Sequence, residues 1–349
     1  MRRIGLVGTG LMGDHHLWAL QRLRATGLVD AEVVLVHDLD NARAEAFGAA
    51  HQVRVAAGLE DLVAQVDVVW ITTWTAGHLA PARAAAAAGK AVFVEKPLAP
   101  TLAECEELAK VLRAVPHQVG LILRHAPAYR LLRELLVSGD YGRPMGVMFR
   151  DDQRFPLDGP YGSTWRADVA RAGGGTLIEH SVHDVDVLAW LLGSPAAVSA
   201  HTASFAGIPG IEDLAMLRFD FAEGHSASLM SVWHQIEERT VARRLEVFCE
   251  RGVLSMDGEV GPVRVQTSSG TVEHETPFPG DLAALGLREV PERWRDAAGG
   301  LALQAKAFLD GLDAGKPGWP SVDDALIAHR LVDAAYRSAA GGGAAVSTT

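Results

Sequence analysis

A glycine-rich turn near the start of the chain has the residue types and spacing that bind phosphate. A short β-rich run, residues 3–7, is followed by the pattern G-x-G-x-x-G and then by apolar residues at helical spacing. The first glycine allows a tight turn, the second lets the backbone approach a pyrophosphate, and the third permits close packing of helix on strand. The helix N-terminus offers its N–H groups to the anion. The predicted pyrophosphate site consists of Gly8, Thr9, Gly10, Leu11, Met12 and Gly13.

An aspartate follows the second strand pattern, where the ribose of a dinucleotide is commonly held. The apolar run 33–36 ends in His37-Asp38. A carboxylate here accepts a hydrogen bond from a ribose 2′-hydroxyl and repels a 2′-phosphate, so Asp38 favours NAD over NADP. The cation that could relieve this repulsion, Arg43, lies within a predicted helix. The alternative is that Asp38 only caps that helix.

A lysine closes a further strand pattern. The apolar run from Ala91 to Val94 is followed by Glu95-Lys96-Pro97. A charge that directly follows an apolar run and is fixed by a proline is an unusual surface residue. An ammonium at this place could hold a substrate oxygen and stabilise its developing negative charge. The alternative is an ordinary surface lysine at the end of a strand.

Another segment with candidate catalytic residues begins with three consecutive glycines, residues 173–175. The apolar residues after it recur at helical intervals, so Glu179 and His183 are expected on one helical face. A carboxylate one turn from an imidazole suits a general base. Alternatively, His183 is a structural histidine beside Asp184 or Asp186, or it binds a metal with Glu179 and His180. We predict no metal, because His180 points away from the face that Glu179 and His183 share.

The elements that must position these residues change character along the chain. Helix and strand patterns alternate to about residue 124, with a sixth strand predicted over Val119–Leu123, and such alternation implies a doubly wound parallel α/β sheet. From about residue 146 the strand candidates are longer and alternate, which indicates a mostly antiparallel second sheet. We therefore predict a dinucleotide-binding domain over 1–124 and a domain for substrate binding and oligomerisation over 125–349, whose last helix is a candidate to pack back on the first domain.

Composition narrows the class of protein. The chain has 349 residues, of which 48% are hydrophobic and 21% charged, as in ordinary globular proteins. The net charge of −11 argues against nucleic acid as a partner. Two cysteines give no disulfide framework, and the sequence shows neither an export signal nor a membrane span, so we expect a cytoplasmic protein with a small-molecule substrate.

Taken together, the glycine turn, Glu95-Lys96-Pro97 and the segment from the glycine run to His183-Asp184 resemble the Gfo/Idh/MocA family of oxidoreductases over nearly the whole chain. The resemblance implies a Rossmann domain, a C-terminal α/β domain with an open antiparallel sheet, and hydride transfer between NAD(P) and a secondary alcohol of a sugar or cyclitol. It implies Lys96 and His183 as catalytic residues, with Glu179 orienting or assisting. The open sheet is expected to be covered by self-association into a homodimer or homotetramer. Further predicted cofactor contacts are Thr72, Thr73, Trp74, His78, Glu95 and Lys96, and the predicted substrate contacts are Lys96, Arg124, Trp165, Arg166, Glu179 and His183.

Three departures from the family pattern bear on the substrate. Glu179 stands where an aspartate is usual, and Trp74 lies in the position of a common proline, which predicts a narrower or more apolar pocket. The segment before Arg244 lacks the tyrosine-rich sequence of inositol dehydrogenases, which points away from myo-inositol. Two other functions remain open: an NAD-sensing regulator without catalysis, and a reductase of an imine, a ketosugar or an unsaturated bond.

Overall fold

The computed structural model describes residues 1–157, 162–239, 241–280, 282–290 and 292–348. The chain divides into two compact units, one formed by Met1–Ile122 with Pro279–Leu326 and the other by Leu123–Phe278 with Ile327–Thr349. The predicted boundary near residue 124 falls beside the first division, whereas residues 279–326, which the sequence places in the second domain, lie in the first unit. Among the described residues, no helix is both long and apolar enough to cross a membrane.

The first unit is built on a parallel sheet of six strands in the order β3-β2-β1-β4-β5-β6. Its central strands are continuous apolar runs because helices cover both faces, and β4 and β5 are buried along their whole length. The strands are β1 (Arg2–Val7), β2 (Ala31–His37), β3 (Arg54–Val55), β4 (Val68–Ile71), β5 (Ala91–Val94) and β6 (His117–Val119). The helices are α1 (Leu11–Ala25), α2 (Asn41–His51), α3 (Leu59–Gln65), α4 (Leu79–Ala87), α5 (Leu102–Leu112) and α9 (Glu292–Asp313). This strand order and these crossovers are those of a doubly wound dinucleotide-binding fold.

The sixth strand is shorter than the sequence predicts. The predicted bounds Val119–Leu123 are wrong, since β6 ends at Val119 and residues 122–125 form a 3₁₀ turn. The chain leaves the sheet at Gly120, and the N–H of Leu121 donates to the carbonyl of Val119 at 2.8 Å. The apolar run therefore continues past the strand because Leu121 and Leu123 are buried outside the sheet.

The second unit contains a sheet of nine strands in the order β14-β13-β12-β11-β7-β10-β9-β8-β15. Among the described strands, the pair β7–β10 is parallel and every other pair is antiparallel, so the prediction of a mostly antiparallel sheet is confirmed. The strands are β7 (Pro144–Arg154), β8 (Ala197–Ala203), β9 (Leu214–Asp220), β10 (Ser226–His234), β11 (Val241–Cys249), β12 (Gly252–Asp257), β13 (Val263–Thr267), β14 (Gly270–His274) and β15 (Val346–Ser347). The helices are α6 (Pro127–Ser138), α7 (Val169–Ala172), α8 (Val182–Leu192) and α10 (Val322–Ala340), the first residues of α10 belonging to the first unit.

Candidate active site

The predicted cofactor residues of the first unit follow four neighbouring strands. The glycine turn follows β1, Asp38 follows β2, Thr72 follows β4, and Glu95 with Lys96 follows β5. These strands are parallel and adjacent, so their carboxyl ends meet at one edge of the sheet. That edge is where open α/β sheets bind their ligands.

The glycine turn is tightly packed on one side and open on the other. Gly8 has φ 98°, and a Cβ there would lie 2.7 Å from the backbone of Thr72, whose hydroxyl donates to the Gly8 carbonyl at 2.8 Å. A Cβ on Gly13 would lie 2.3 Å from the same carbonyl, so helix and turn pack as the motif predicts. At Gly10, by contrast, a Cβ would meet no described atom within 4 Å. This open side fits a pyrophosphate approaching the first turn of α1.

Asp38 is fixed against the glycine turn. One carboxylate oxygen accepts hydrogen bonds from the backbone N–H of Thr9 at 2.8 Å and from its hydroxyl at 3.0 Å. The helix α2 is capped by Asp40, whose side chain accepts from the N–H of Arg43, so the capping role belongs to Asp40. The guanidinium of Arg43 lies 4.0 Å from Asp38 and 3.5 Å from Asp40. Its single positive charge cannot neutralise both carboxylates.

Lys96 follows β5 on a backbone held from both sides. The preceding Glu95 is buried, and its carboxylate contacts the imidazole of His16 on α1 and the N–H of Lys96. After the lysine, the carbonyl of Leu98 lies 3.1 Å from Nδ1 of His78. Lys96 itself is only partly buried, so a side chain able to do chemistry sits on an anchored segment.

His78 is a support of this edge of the sheet. It is 1% exposed, and its Nε2 lies 3.2 Å from the carbonyl of Thr73, so the ring joins the loop after β4 to the loop after β5. Burial lowers the pKa of the His78 imidazole, which favours its neutral form. Its enclosure argues against the predicted contact with the cofactor. Trp74, in the same loop, remains partly exposed.

In the second unit, the predicted α-helix through Glu179 and His183 is wrong. Residues 176–180 form a π-helical turn, and α8 begins only at Val182. At the start of this turn, the carboxylate of Glu212 accepts from the N–H groups of Gly175 at 2.8 Å and Leu177 at 3.0 Å. The N–H of Ser181 donates to the carbonyl of Thr176 at 2.8 Å, an i,i+5 bond that makes the turn wider than the predicted i,i+4 spacing.

Gly175→Ala is expected to destabilise the second unit by about 2–3 kcal/mol, since a Cβ there would lie 1.8 Å from the backbone oxygen of Glu212. Urea unfolding followed by circular dichroism measures the loss. Gly146→Ala in β7 is the matched control, because its Cβ would meet its nearest neighbour at 4.0 Å. Equal stability of the two variants would show that the backbone at residue 175 relaxes freely.

Three predicted substrate residues are brought together. Nε of Arg166 donates to Oε1 of Glu179 at 2.7 Å, and the guanidinium lies 4.7 Å from the ring centre of Trp165. Glu179 is buried and Arg166 nearly so, so each charge is compensated by the other. The pair presents a carboxylate and a guanidinium in a fixed arrangement beside an aromatic face.

The helix that carries His183 is anchored by two buried arginines. Arg124, 3% exposed, donates to both carboxylate oxygens of Asp186 at 2.8 Å. Arg243 donates to Asp184 at 2.9 Å. Burial, with the nearby charge of Asp151, raises the pKa of Asp184 to about 7.

These contacts revise two interpretations. The predicted substrate contact of Arg124 is not supported, because its guanidinium forks onto Asp186 inside the unit. Asp184 and Asp186, the acids proposed as structural partners of His183, are each engaged by a buried arginine. Among the residues that the structure describes, no three His, Cys, Asp or Glu side chains are grouped so that they could hold a metal ion.

Comparison with known proteins decides the family. The family model described as "Oxidoreductase family, NAD-binding Rossmann fold" matches residues 2–122, and the model of the GFO/IDH/MocA C-terminal domain matches residues 129–255. Inositol 2-dehydrogenase 1 of Saccharopolyspora erythraea is 30% identical over 96% of this chain and 93% of its own. The chain belongs to the Gfo/Idh/MocA family.

Other relatives extend the likeness. The 1,5-anhydro-D-fructose reductase of Ensifer adhaerens is 31% identical over 64% of this chain and 67% of its own. A solved NAD-binding oxidoreductase from Klebsiella pneumoniae is 25% identical with a TM-score of 0.84, covering 100% of this chain and 99% of that one. Membership of the Gfo/Idh/MocA family confirms the predicted family, the two-sheet α/β fold, and an oxidoreductase that uses NAD.

Three residues outside the predicted catalytic, cofactor and substrate contacts support the site of this Gfo/Idh/MocA protein: His16, Glu212 and Arg243. His16 had a signal, since it lies one helical turn before the apolar Leu20 and is therefore on the buried stripe of α1. Glu212 and Arg243 act on residues 37 and 59 positions away, and no local pattern marks such contacts.

Proposed function

We propose that this protein is an NAD-dependent dehydrogenase of a secondary alcohol in a sugar, cyclitol or related polyol. The observation that carries the proposal is the position of Lys96, which follows β5 at the same sheet edge as the glycine turn and Asp38. A cation at this edge lies beside the strands whose ends hold the dinucleotide. A family of oxidoreductases and relatives named for inositol and anhydrofructose support this substrate class.

The proposed reaction gives Lys96, His183 and Glu179 separate roles. The nicotinamide of NAD, when bound at the glycine turn, would supply the acceptor for the hydride of the alcohol carbon. His183 takes the hydroxyl proton, and Lys96 holds the oxygen and stabilises the charge that develops on it. Glu179, oriented by Arg166, positions or assists the imidazole.

The pair formed by Arg166 and Glu179 supports a neutral substrate. A carboxylate accepts from hydroxyl groups and a guanidinium donates to them, so the pair matches a vicinal diol without leaving a net charge. The ring of Trp165, stacked under the guanidinium, adds an apolar face.

A reductase acting in the opposite direction is the second candidate, and the relative named 1,5-anhydro-D-fructose reductase favours it. The same residues serve both directions, since the acid of a reduction is the base of the reverse oxidation. An NAD-sensing regulator is disfavoured, because a sensor needs neither Lys96 nor His183.

NAD is expected to be used in preference to NADP. Asp38 and Asp40 carry two negative charges against the single positive charge of Arg43. The excess negative charge repels a 2′-phosphate. We expect kcat/KM to be higher with NAD by at least tenfold, and Asp38→Ser to narrow the difference. The control is Asp67→Ser, which removes an acid at the amino end of β4. Equal use of both cofactors by the unaltered protein would defeat the assignment.

We also propose a homodimer or homotetramer. Methionines and a phenylalanine project from the uncovered face of the second sheet, namely Met148, Met216 and Phe248, exposed by 56%, 42% and 40%. The pairing of β9, β10, β7 and β11 puts these side chains on one face. Met148→Glu is expected to shift the sedimentation coefficient toward the monomer, whereas Val137→Glu on α6, an exposed site away from the sheet, is not.

A reducing cytoplasm is the proposed compartment. Cys105 and Cys249 are buried free thiols, and neither forms a disulfide in the structure. Burial raises the pKa of Cys105 to about 12, so this thiol is held unreactive. Detection of the protein in the cytoplasmic fraction of its host tests the compartment directly.

A further inference from the structure

The acid that precedes the proposed catalytic lysine is buried and paired with a buried histidine. Nε2 of His16, on α1, is 2.7 Å from Oε1 of Glu95, and their side chains are 0% and 7% exposed. The imidazole packs edge-on against the rings of Trp70 and Phe93, at 5.7 and 5.2 Å between ring centres. A polar pair in such apolar surroundings gains little stability over apolar residues of the same shape. Its position therefore needs another explanation.

The other oxygen of the carboxylate faces the lysine's backbone. Oε2 of Glu95 accepts a hydrogen bond from the N–H of Lys96 at 3.1 Å. The opposite wall is Gly120, where a Cβ would lie 2.6 Å from Oε1 of Glu95, so only glycine leaves room for this carboxylate. The carboxylate is thus confined between α1, the start of the loop after β6, and the peptide of Lys96.

We propose that His16 and Glu95 form a positioning pair for Lys96. The imidazole fixes the carboxylate from α1, the carboxylate fixes the peptide that begins Lys96, and the ammonium thereby keeps its direction toward the substrate oxygen. The inference rests on the catalytic role proposed for Lys96. Neither residue touches the reacting atoms, so their effect on turnover passes through the lysine.

Two substitutions at residue 16 test the pair. His16→Leu removes the hydrogen bond, and we expect kcat to fall roughly 10- to 100-fold, while KM for NAD changes less than about threefold, because a displaced catalytic group acts on the transition state. His16→Gln keeps a donor near Nε2 and is expected to recover most of the rate. The proposal would be contradicted if His16→Gln did not recover kcat and if kcat fell in both variants in proportion to their Tm. The pair would then only support the fold.

A double substitution separates this inference from the proposed function. In the Lys96→Ala background, His16→Leu should cause no further loss of kcat, because the group that it positions is gone. If Lys96→Ala alone keeps the full rate, the proposed role of the lysine fails. If Lys96→Ala loses the rate while His16→Leu keeps it, the positioning role alone fails. A full additional loss in the double variant also contradicts positioning.

Gly120→Ala provides an independent route should His16→Leu not fold. It leaves both members of the pair in place and displaces the carboxylate by the added Cβ, so we expect a similar loss of kcat. His51→Gln is the matched control, since Nε2 of His51 contacts Asp14 of the same α1 at 2.9 Å in a partly exposed pair. The control should keep the unaltered rate, and an unaltered rate in Gly120→Ala would contradict the proposal.

Discussion

Lys96→Ala is expected to lower kcat by about 10²- to 10³-fold while the variant folds and binds NADH normally. The ammonium acts on charge that develops only in the transition state, so kcat and kcat/KM should fall together. Stopped-flow or steady-state formation of NADH measures the rate, and quenching of tryptophan fluorescence measures NADH binding.

Lys90→Ala is the matched control for this substitution. Lys90 precedes β5 at the amino end of the strand, whereas Lys96 follows its carboxyl end. The two variants remove the same charge from opposite edges of the sheet, and only Lys96→Ala should slow the reaction. Turnover like that of the unaltered protein in Lys96→Ala would remove the lysine from the mechanism.

His183→Asn is expected to lower kcat/KM for oxidation by roughly 10²- to 10⁴-fold and to abolish its dependence on a deprotonated base. In the unaltered enzyme, kcat/KM should rise with pH through an ionisation of the free enzyme, because only an unprotonated imidazole can take the hydroxyl proton. A rising limb alone does not identify the residue that ionises, so the pH profile of the unaltered enzyme has to be compared with that of the variant.

The control for the general base is His201→Asn, a substitution of an exposed histidine on β8. It should keep both the rate and the pH profile. If His183→Asn also kept them, the base would lie elsewhere, and Glu179 would be the next residue to test.

The chain's local signals predict the central strands of the first unit and the residues at their carboxyl ends, for a physical reason. The glycine turn, the Asp38 position and the end of β5 each depend on a few consecutive residues whose backbone needs are visible in their types. The capping box of Thr101 and Glu104 at the start of α5 is likewise a local feature, since it depends on two residues three positions apart. Continuous apolar runs predict the central strands because both faces of a parallel sheet are buried.

Contacts between distant parts of the chain determine the structural features that local sequence patterns do not predict. Glu212 accepts hydrogen bonds at the start of the π-helical turn before His183, and β6 ends just before Gly120 and the buried Leu121. Arg124 has the residue type of an anion-binding side chain, and only the fold reveals that Asp186 engages it. Hydrophobic periodicity carries no information about such partners. The residues that hold the site in place are therefore less predictable than the site residues at the strand ends.

The most direct test of the account is a substrate panel with the purified protein. Cyclitols, aldoses, uronates and aminosugars are offered with NAD, the matching ketosugars are offered with NADH, and the change in NADH absorbance is followed. The account predicts turnover of at least one neutral polyol or its ketone, lost in both Lys96→Ala and His183→Asn. Tight binding of NADH without turnover of any compound in either direction would contradict it and would point to an NAD-sensing protein.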